Sequence, residues 1–249
     1  MDTGAERMID IRELLGIREH TLGFADSQNG KTTTSLYICQ LQNLAGYTSI
    51  FFNLKDDDKL YNIKKTKQGA AKYINVSLEQ FKYLLEQKVT DGIIEVRPEP
   101  SDVPIIEQIE PYLKFLLAWK KINREHKVYC VIDEIHLLQS KQSLMTSIKN
   151  LWVMGKGLNL FMGGLSQRYT MVHNDLFTQT EYFFMQGCNP RDLKAIYDGR
   201  YLAIPDGWIV PLNQPESTYP WKQNKYRLFV QLTKFDGLFE IAPLNKPPF

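Results

Sequence analysis

Phe24–Ser35 reads FADSQNGKTTTS. Two readings of this stretch compete: a surface turn with an exposed lysine, or a loop built to hold phosphate. The second has strict requirements. A strand must end in a tight loop whose backbone N–H groups surround phosphate oxygens, and a helix must begin there with its positive end toward the anion. A lysine then reaches the β- and γ-phosphates, and the hydroxyl beside it binds Mg²⁺. Here the strand is "TLGF", and the loop runs over Ala25, Asp26, Ser27, Gln28, Asn29 and Gly30. The lysine is Lys31, the hydroxyl Thr32, and Thr33 follows in the helix "TTTSLYICQLQNLAG". The spacing is that of G-x-x-x-x-G-K-T with alanine in first place, one methyl more than glycine. Gly30 is the position where a missing side chain matters most for close approach to phosphate.

The pattern around the loop predicts an α/β fold: a P-loop NTPase domain with a mostly parallel central sheet, flanking helices and a β-rich C-terminal tail. "YTSIFFNL" is β-branched and aromatic, as a strand should be. "SLEQFKYLLEQK" carries a capping box at Ser77 and Gln80, with Leu78, Phe81, Leu84 and Leu85 on one face. "GIIEVRP" predicts a third strand, and a helix follows from about Pro104, with Pro111 at a position that favours a kink. "KVYCVID" is a continuous apolar run of the kind buried on both faces of a parallel sheet. "SLMTSIKNLWVMG" predicts a helix with Leu144, Ile148, Leu151 and Trp152 on one side. "LNLFMGGLSQR" and "EYFFMQG" predict strands, and "NPRDLKAIYDG" a short helix. "YRLFVQLTKFDGLFEIAP" predicts a hairpin turning near Asp236–Gly237. The expected organisation is one domain over 1–249, its core at about 18–200 and the hairpin tail at about 201–249.

"VYCVIDEIH" supplies the other half of a nucleotide site. The apolar run delivers Asp133 and Glu134 to a strand end. An aspartate there can hold Mg²⁺ through water. The adjacent glutamate can act as general base on the water that attacks the γ-phosphate. The pair therefore points to hydrolysis of ATP by water. About thirty residues on, Ser166, Gln167 and Arg168 close another strand. Parallel neighbours place their C-terminal ends on one edge, so these side chains are expected beside the same phosphate. Gln167 fits a role in orienting water, and Arg168 a contact to phosphate or to a neighbouring subunit.

Taken in order, Ala25–Thr32, "VYCVIDEIHLL" and "GLSQRYTMVHNDLFTQTEYFF" resemble the HerA/FtsK superfamily of P-loop ATPases. The third segment is the most specific, with Gln167–Arg168, Val172 and then Gln179 before an aromatic strand. Tyr169 stands where the family has proline, and Ala25 where its loop opens on glycine. The resemblance covers about residues 18–190. It implies a hexameric ring motor that moves double-stranded DNA or protein, with ATP and Mg²⁺ as cofactors. It implies catalytic roles for Lys31, Glu134 and Gln167 and metal binding at Thr32 and Asp133; Arg168 is expected with them among the catalytic residues, its exact role left open by Tyr169. The short chain resembles most the viral genome-packaging branch.

Composition is compatible with this and excludes little: 249 residues, 43% apolar, 23% charged, formal net charge +2. The sequence has no run of about 18 uninterrupted apolar residues, so no membrane-spanning helix is expected, and the charged "MDTGAERMIDIRELLG" lacks an apolar signal core. The expected location is cytoplasmic, in host cytoplasm or with a virion if the protein is viral. Cys39, Cys130 and Cys188 are widely spaced and read as buried free thiols. Lys64, Lys65, Lys67 and Lys72 in "NIKKTKQGAAKY" fit contact with a DNA backbone or, equally, a solvated loop. Asp56–Asp58 just before them count against a uniformly basic face. Arg191 and Arg200 are further candidates for an arginine acting on a neighbour's site. Two other functions stay open: an AAA-type ATP-switched initiator or loader, and a regulatory protein whose altered loop no longer binds nucleotide.

Overall fold

The computed structural model describes residues 16–25, 31–55, 71–139, 145–186, 228–232 and 238–241. Seven strands run parallel: β1 (Thr21–Ala25), β2 (Thr48–Asn53), β3 (Ala71–Tyr73), β4 (Ile93–Val96), β5 (Val128–Asp133), β6 (Leu160–Ser166) and β7 (Tyr182–Gln186). Two more, β8 (Leu228–Leu232) and β9 (Leu238–Ile241), continue the same sheet antiparallel beyond β7. The order across the sheet is β3-β4-β2-β5-β6-β1-β7-β8-β9. The hairpin expected near the C-terminus is therefore present as paired strands, and it extends the sheet rather than standing apart from it. β3 is a difference from the sequence reading. The sequence places Ala71–Tyr73 with a basic loop, yet this segment pairs with β4 at the sheet edge, and Lys72 is ion-paired with Asp91. Lys64, Lys65 and Lys67, the helix expected at 189–199, Leu144 and Cys188 lie outside the described residues.

The crossover helices are α1 (Lys31–Leu44), α2 (Leu78–Glu86), α3 (Ile105–Ile122), α4 (Thr146–Gly155) and the short α5 (Asn174–Thr178). At α2 the capping box forms as expected, Ser77 Oγ accepting from Gln80 N–H and Gln80 returning to Ser77 N–H, while Phe81, Leu84 and Leu85 are buried. α3 runs through Pro111 over 18 residues. Its end is closed by the buried Lys120, whose ammonium donates to the carbonyls of Asn123 (2.9 Å) and His126. These carbonyls belong to the C-cap and to the loop just past the helix, so the cation sits at the negative end of the helix dipole.

Both sheet faces are covered, which is why β2, β4, β5 and β6 are buried at every residue. One face packs Ile50, Phe52, Ile132 and Met162 against Phe81, Leu113, Leu116 and Trp152. The other packs Phe51, Val131, Phe161 and Leu165 against Leu36, Ile38 and Cys39 of α1. Cys39 and Cys130 are buried free thiols, and burial pushes both well above the usual thiol range. Gly163 in β6 is required by close approach. Thr21 Oγ1 and Tyr129 Oη meet at 2.8 Å across it, and a Cβ there would lie 2.9 Å from the first and 3.1 Å from the second.

His20, just before β1, pins this core to β6 and α4. Its Nδ1 accepts from Met162 N–H at 2.9 Å, so Nε2 carries the proton and donates to the Trp152 carbonyl at 2.7 Å. Burial lowers the His20 pKa from 6.5 to about 4. Above the unfolded value both states are neutral. As pH falls from there toward about 4, the unfolded chain takes up a proton that the folded chain resists, and stability is lost. The advantage of the wild type over His20→Gln should therefore shrink by about 2 kcal/mol between about pH 7.5 and about pH 5. Urea unfolding of both proteins across that range measures it. A pH-independent difference would contradict the assignment.

Candidate active site

β1 and β5 end on the same edge of the sheet, with β6 between them. Register sets the levels: Phe24 pairs with Ser166, Ala25 with Gln186 of β7, and Asn53 of β2 with Asp133. α1 starts at Lys31 directly beyond this edge. Its first turn contains no acidic residue, so the positive helix end is not neutralised by its own side chains. Ala25 closes β1; Asp26, Ser27, Gln28, Asn29 and Gly30 lie outside the described residues, as does the Thr33 side chain.

The two sequence-distant halves meet. Thr32 Oγ1 donates to Asp133 Oδ2 at 3.2 Å, and Lys31 Nζ lies 3.6 Å from Glu134 Oε1. Adjacent residues of an extended strand point to opposite faces, so these neighbouring carboxylates converge only because the chain turns. Glu134 does this with φ 54° and ψ 49°, the left-handed region that non-glycine residues seldom adopt. Such a conformation costs about 1–3 kcal/mol and persists where the surroundings over-determine it.

The surroundings here are polar and specific. Glu134 is 1% exposed. Its Oε1 accepts from Gln167 Nε2 at 3.2 Å and from Lys55 Nζ. His136 Nδ1 lies 3.3 Å from Glu134 Oε2 and 3.3 Å from Ser166 Oγ. Ser166 Oγ in turn donates to the Arg168 carbonyl at 2.9 Å and accepts from Arg168 N–H at 3.2 Å. Burial would raise the Glu134 pKa, but the hydrogen bond from Lys55 and the charges of Lys31 and Lys55 outweigh it and hold the carboxyl below the usual range. Asp133, 3% exposed, goes the other way. Burial and the neighbouring Glu134 charge raise it from 3.8 to about 6, against the pull of Lys31 and Lys55. His136 is lowered, first by burial, so its neutral form dominates near neutral pH.

Asp133 Oδ1 is buried with no hydrogen-bond partner. Beside it are one hydroxyl and one further carboxylate, all hard oxygen donors. That set fits a Mg²⁺ completed by phosphate and water rather than an all-protein cage. Thr32 and Asp133 are the residues that would hold it.

Of the residues expected at the site, Lys31, Thr32, Asp133, Glu134 and Gln167 come together. Arg168 is exposed and enters the described contacts through its backbone. Two participants were missed in the sequence, Lys55 and His136. Lys55 follows the strand "YTSIFFNL", and only knowledge that β2 neighbours β5 places its ammonium on this edge. His136 lies in the same "DEIH" as the carboxylates.

No protein-family model matches the chain, and no curated protein matches it in sequence. Solved structures do match in fold. The genome packaging NTPase B204 of Sulfolobus turreted icosahedral virus 2, in complex with ATPγS, superposes with a TM-score of 0.65 at 11% identity, covering 91% of this chain and 98% of that one. B204 of Sulfolobus turreted icosahedral virus, the DNA-packaging ATPase, gives 0.62 at 12% identity over 92% and 98%. VirB4 of Thermoanaerobacter pseudethanolicus gives 0.62 at 10% identity over 92% and 90%. The parallel sheet and flanking helices expected from the sequence are thus the fold that these proteins share with this chain.

Proposed function

We propose that this chain is a Mg²⁺-dependent ATPase that translocates double-stranded DNA, working as a homo-oligomeric ring, most simply a hexamer, in packaging a viral genome. The observation that carries the ATPase reading is the meeting of Lys31 and Thr32 with Asp133 and Glu134 on one sheet edge. In this reading the α1 N-terminus and Lys31 hold the β- and γ-phosphates, and Thr32 and Asp133 would hold a Mg²⁺ whose charge would offset that of the phosphates. Glu134 takes a proton from the attacking water, and Gln167 orients that water. The glutamate held ionised next to an aspartate of raised pKa is the kind of split expected when two carboxylates have different tasks.

The motor part is supported by the fold shared with two genome-packaging ATPases and by the sequence resemblance to the HerA/FtsK superfamily. No helix among the described residues is long and apolar enough to cross a membrane. Double-stranded DNA should raise ATP turnover several-fold. Turnover unchanged by DNA of any length would contradict translocation while leaving hydrolysis standing.

A further inference from the structure

We propose that Lys55 is a positioning residue for the general base: it fixes and charge-compensates Glu134 when nucleotide occupies the site. The proposal rests on the ATPase reading above. Glu134 is buried, and an ionised buried carboxylate needs a cation within contact range. Two ammonium groups serve it, Lys31 at 3.6 Å and Lys55 in direct hydrogen-bond contact. A bound triphosphate draws Lys31 to the phosphates. Lys55 is then the cation left to Glu134.

The geometry also assigns the two carboxylate oxygens. Lys55 and Gln167 both donate to Oε1. Oε2 is buried with no hydrogen-bond partner of its own, although His136 stands nearby. Donors gathered on one oxygen fix the plane of the carboxyl and leave the other free to accept from water. The left-handed backbone at Glu134 brings the group into reach, and Lys55 and Gln167 set its orientation.

Lys55 can do this because the end of β2 is held firmly. Two residues before it, Asn53 Nδ2 donates to Glu95 Oε1 at 3.0 Å, and Arg97 Nε donates to the same oxygen at 2.7 Å. Asn53, Glu95 and Arg97 are all buried, and they tie β2 to the end of β4. The Lys55 side chain itself is 36% exposed, so its replacement does not empty the core.

Lys55→Met and Lys55→Arg in the full chain test the proposal, with ATPγS binding followed by thermal shift and ATP hydrolysis by steady-state rates. Lys55→Met should bind ATPγS within about three-fold of wild type while kcat falls about 10- to 100-fold, the range of a displaced general base. KM should change little, and Lys55→Arg should recover most of kcat. A wild-type or raised kcat in Lys55→Met would overturn the proposal, the second by showing that Lys55 restrains the base. Loss of ATPγS binding in parallel with kcat would also overturn it, by making Lys55 a phosphate contact. A wild-type chain that neither binds nor hydrolyses nucleotide defeats the parent reading as well, whereas an active wild type with an equally active Lys55→Met defeats this one alone.

Discussion

Glu134→Gln should keep nucleotide binding and lose about 10²- to 10⁴-fold in turnover, the usual contribution of a general base. The substitution is nearly isosteric. The amide oxygen can still accept from Lys55 and Gln167, which now meet at Glu134 Oε1, so the left-handed turn keeps its supports. What disappears is the basicity and one buried negative charge. The second loss has a predictable sign. The Glu134 charge is one of the two causes that raise the Asp133 pKa, after burial. Removing it also takes a negative charge away from the edge where the triphosphate would sit, so nucleotide binding should not weaken. Single-turnover hydrolysis beside ATP affinity separates the two effects. Turnover within a few-fold of wild type would remove Glu134 from the chemistry, and lost binding would make it a structural group.

Lys31→Ala should abolish the stabilisation by Mg-ATP. With ligand at about 100 times Kd, binding to the native state alone contributes about 2.7 kcal/mol. For a chain of this size that is roughly a 5–10 °C rise in Tm. The variant should still fold, because Lys31 lies at the first position of α1 and Glu134 keeps Lys55 as its cation. A melting curve for Lys31→Ala that matches wild type without nucleotide, and does not move when Mg-ATP is added, is the expected pair of results. A full nucleotide shift in the variant would mean that the triphosphate is held elsewhere.

How far the sequence could be read follows from which interactions are local. The strands β2, β4, β5 and β6 are short apolar runs bounded by polar residues, and a period of that kind is visible without any partner. The capping box at Ser77 and Gln80 lies within four consecutive residues and is equally visible. Lys31, Thr32, Asp133 and Glu134 were legible because each half of the site is carried by a contiguous stretch, and parallel strands bring their C-terminal ends to one edge. β3 was not legible. Ala71–Tyr73 is a strand because β4 offers it an edge, and its own alanine and lysine carry little preference for that state. Lys55 was hidden for a similar reason. Its role depends on β2 lying next to β5, an adjacency that strand order in space determines and sequence order does not show. The left-handed backbone at Glu134 was hidden too, since glutamate gives no local sign of positive φ and tertiary contacts impose it. His20 was invisible as a pin because both its partners, Trp152 and Met162, are more than a hundred residues away.

The most direct test of the account is a crystal structure of this chain with Mg²⁺ and a non-hydrolysable ATP analogue. The triphosphate should lie at the N-terminus of α1, with the Lys31 ammonium on its phosphates, the cation between Thr32 and Asp133, and Glu134 still held by Lys55. Nucleotide bound away from that edge, or a cation that ignores Asp133, would contradict it.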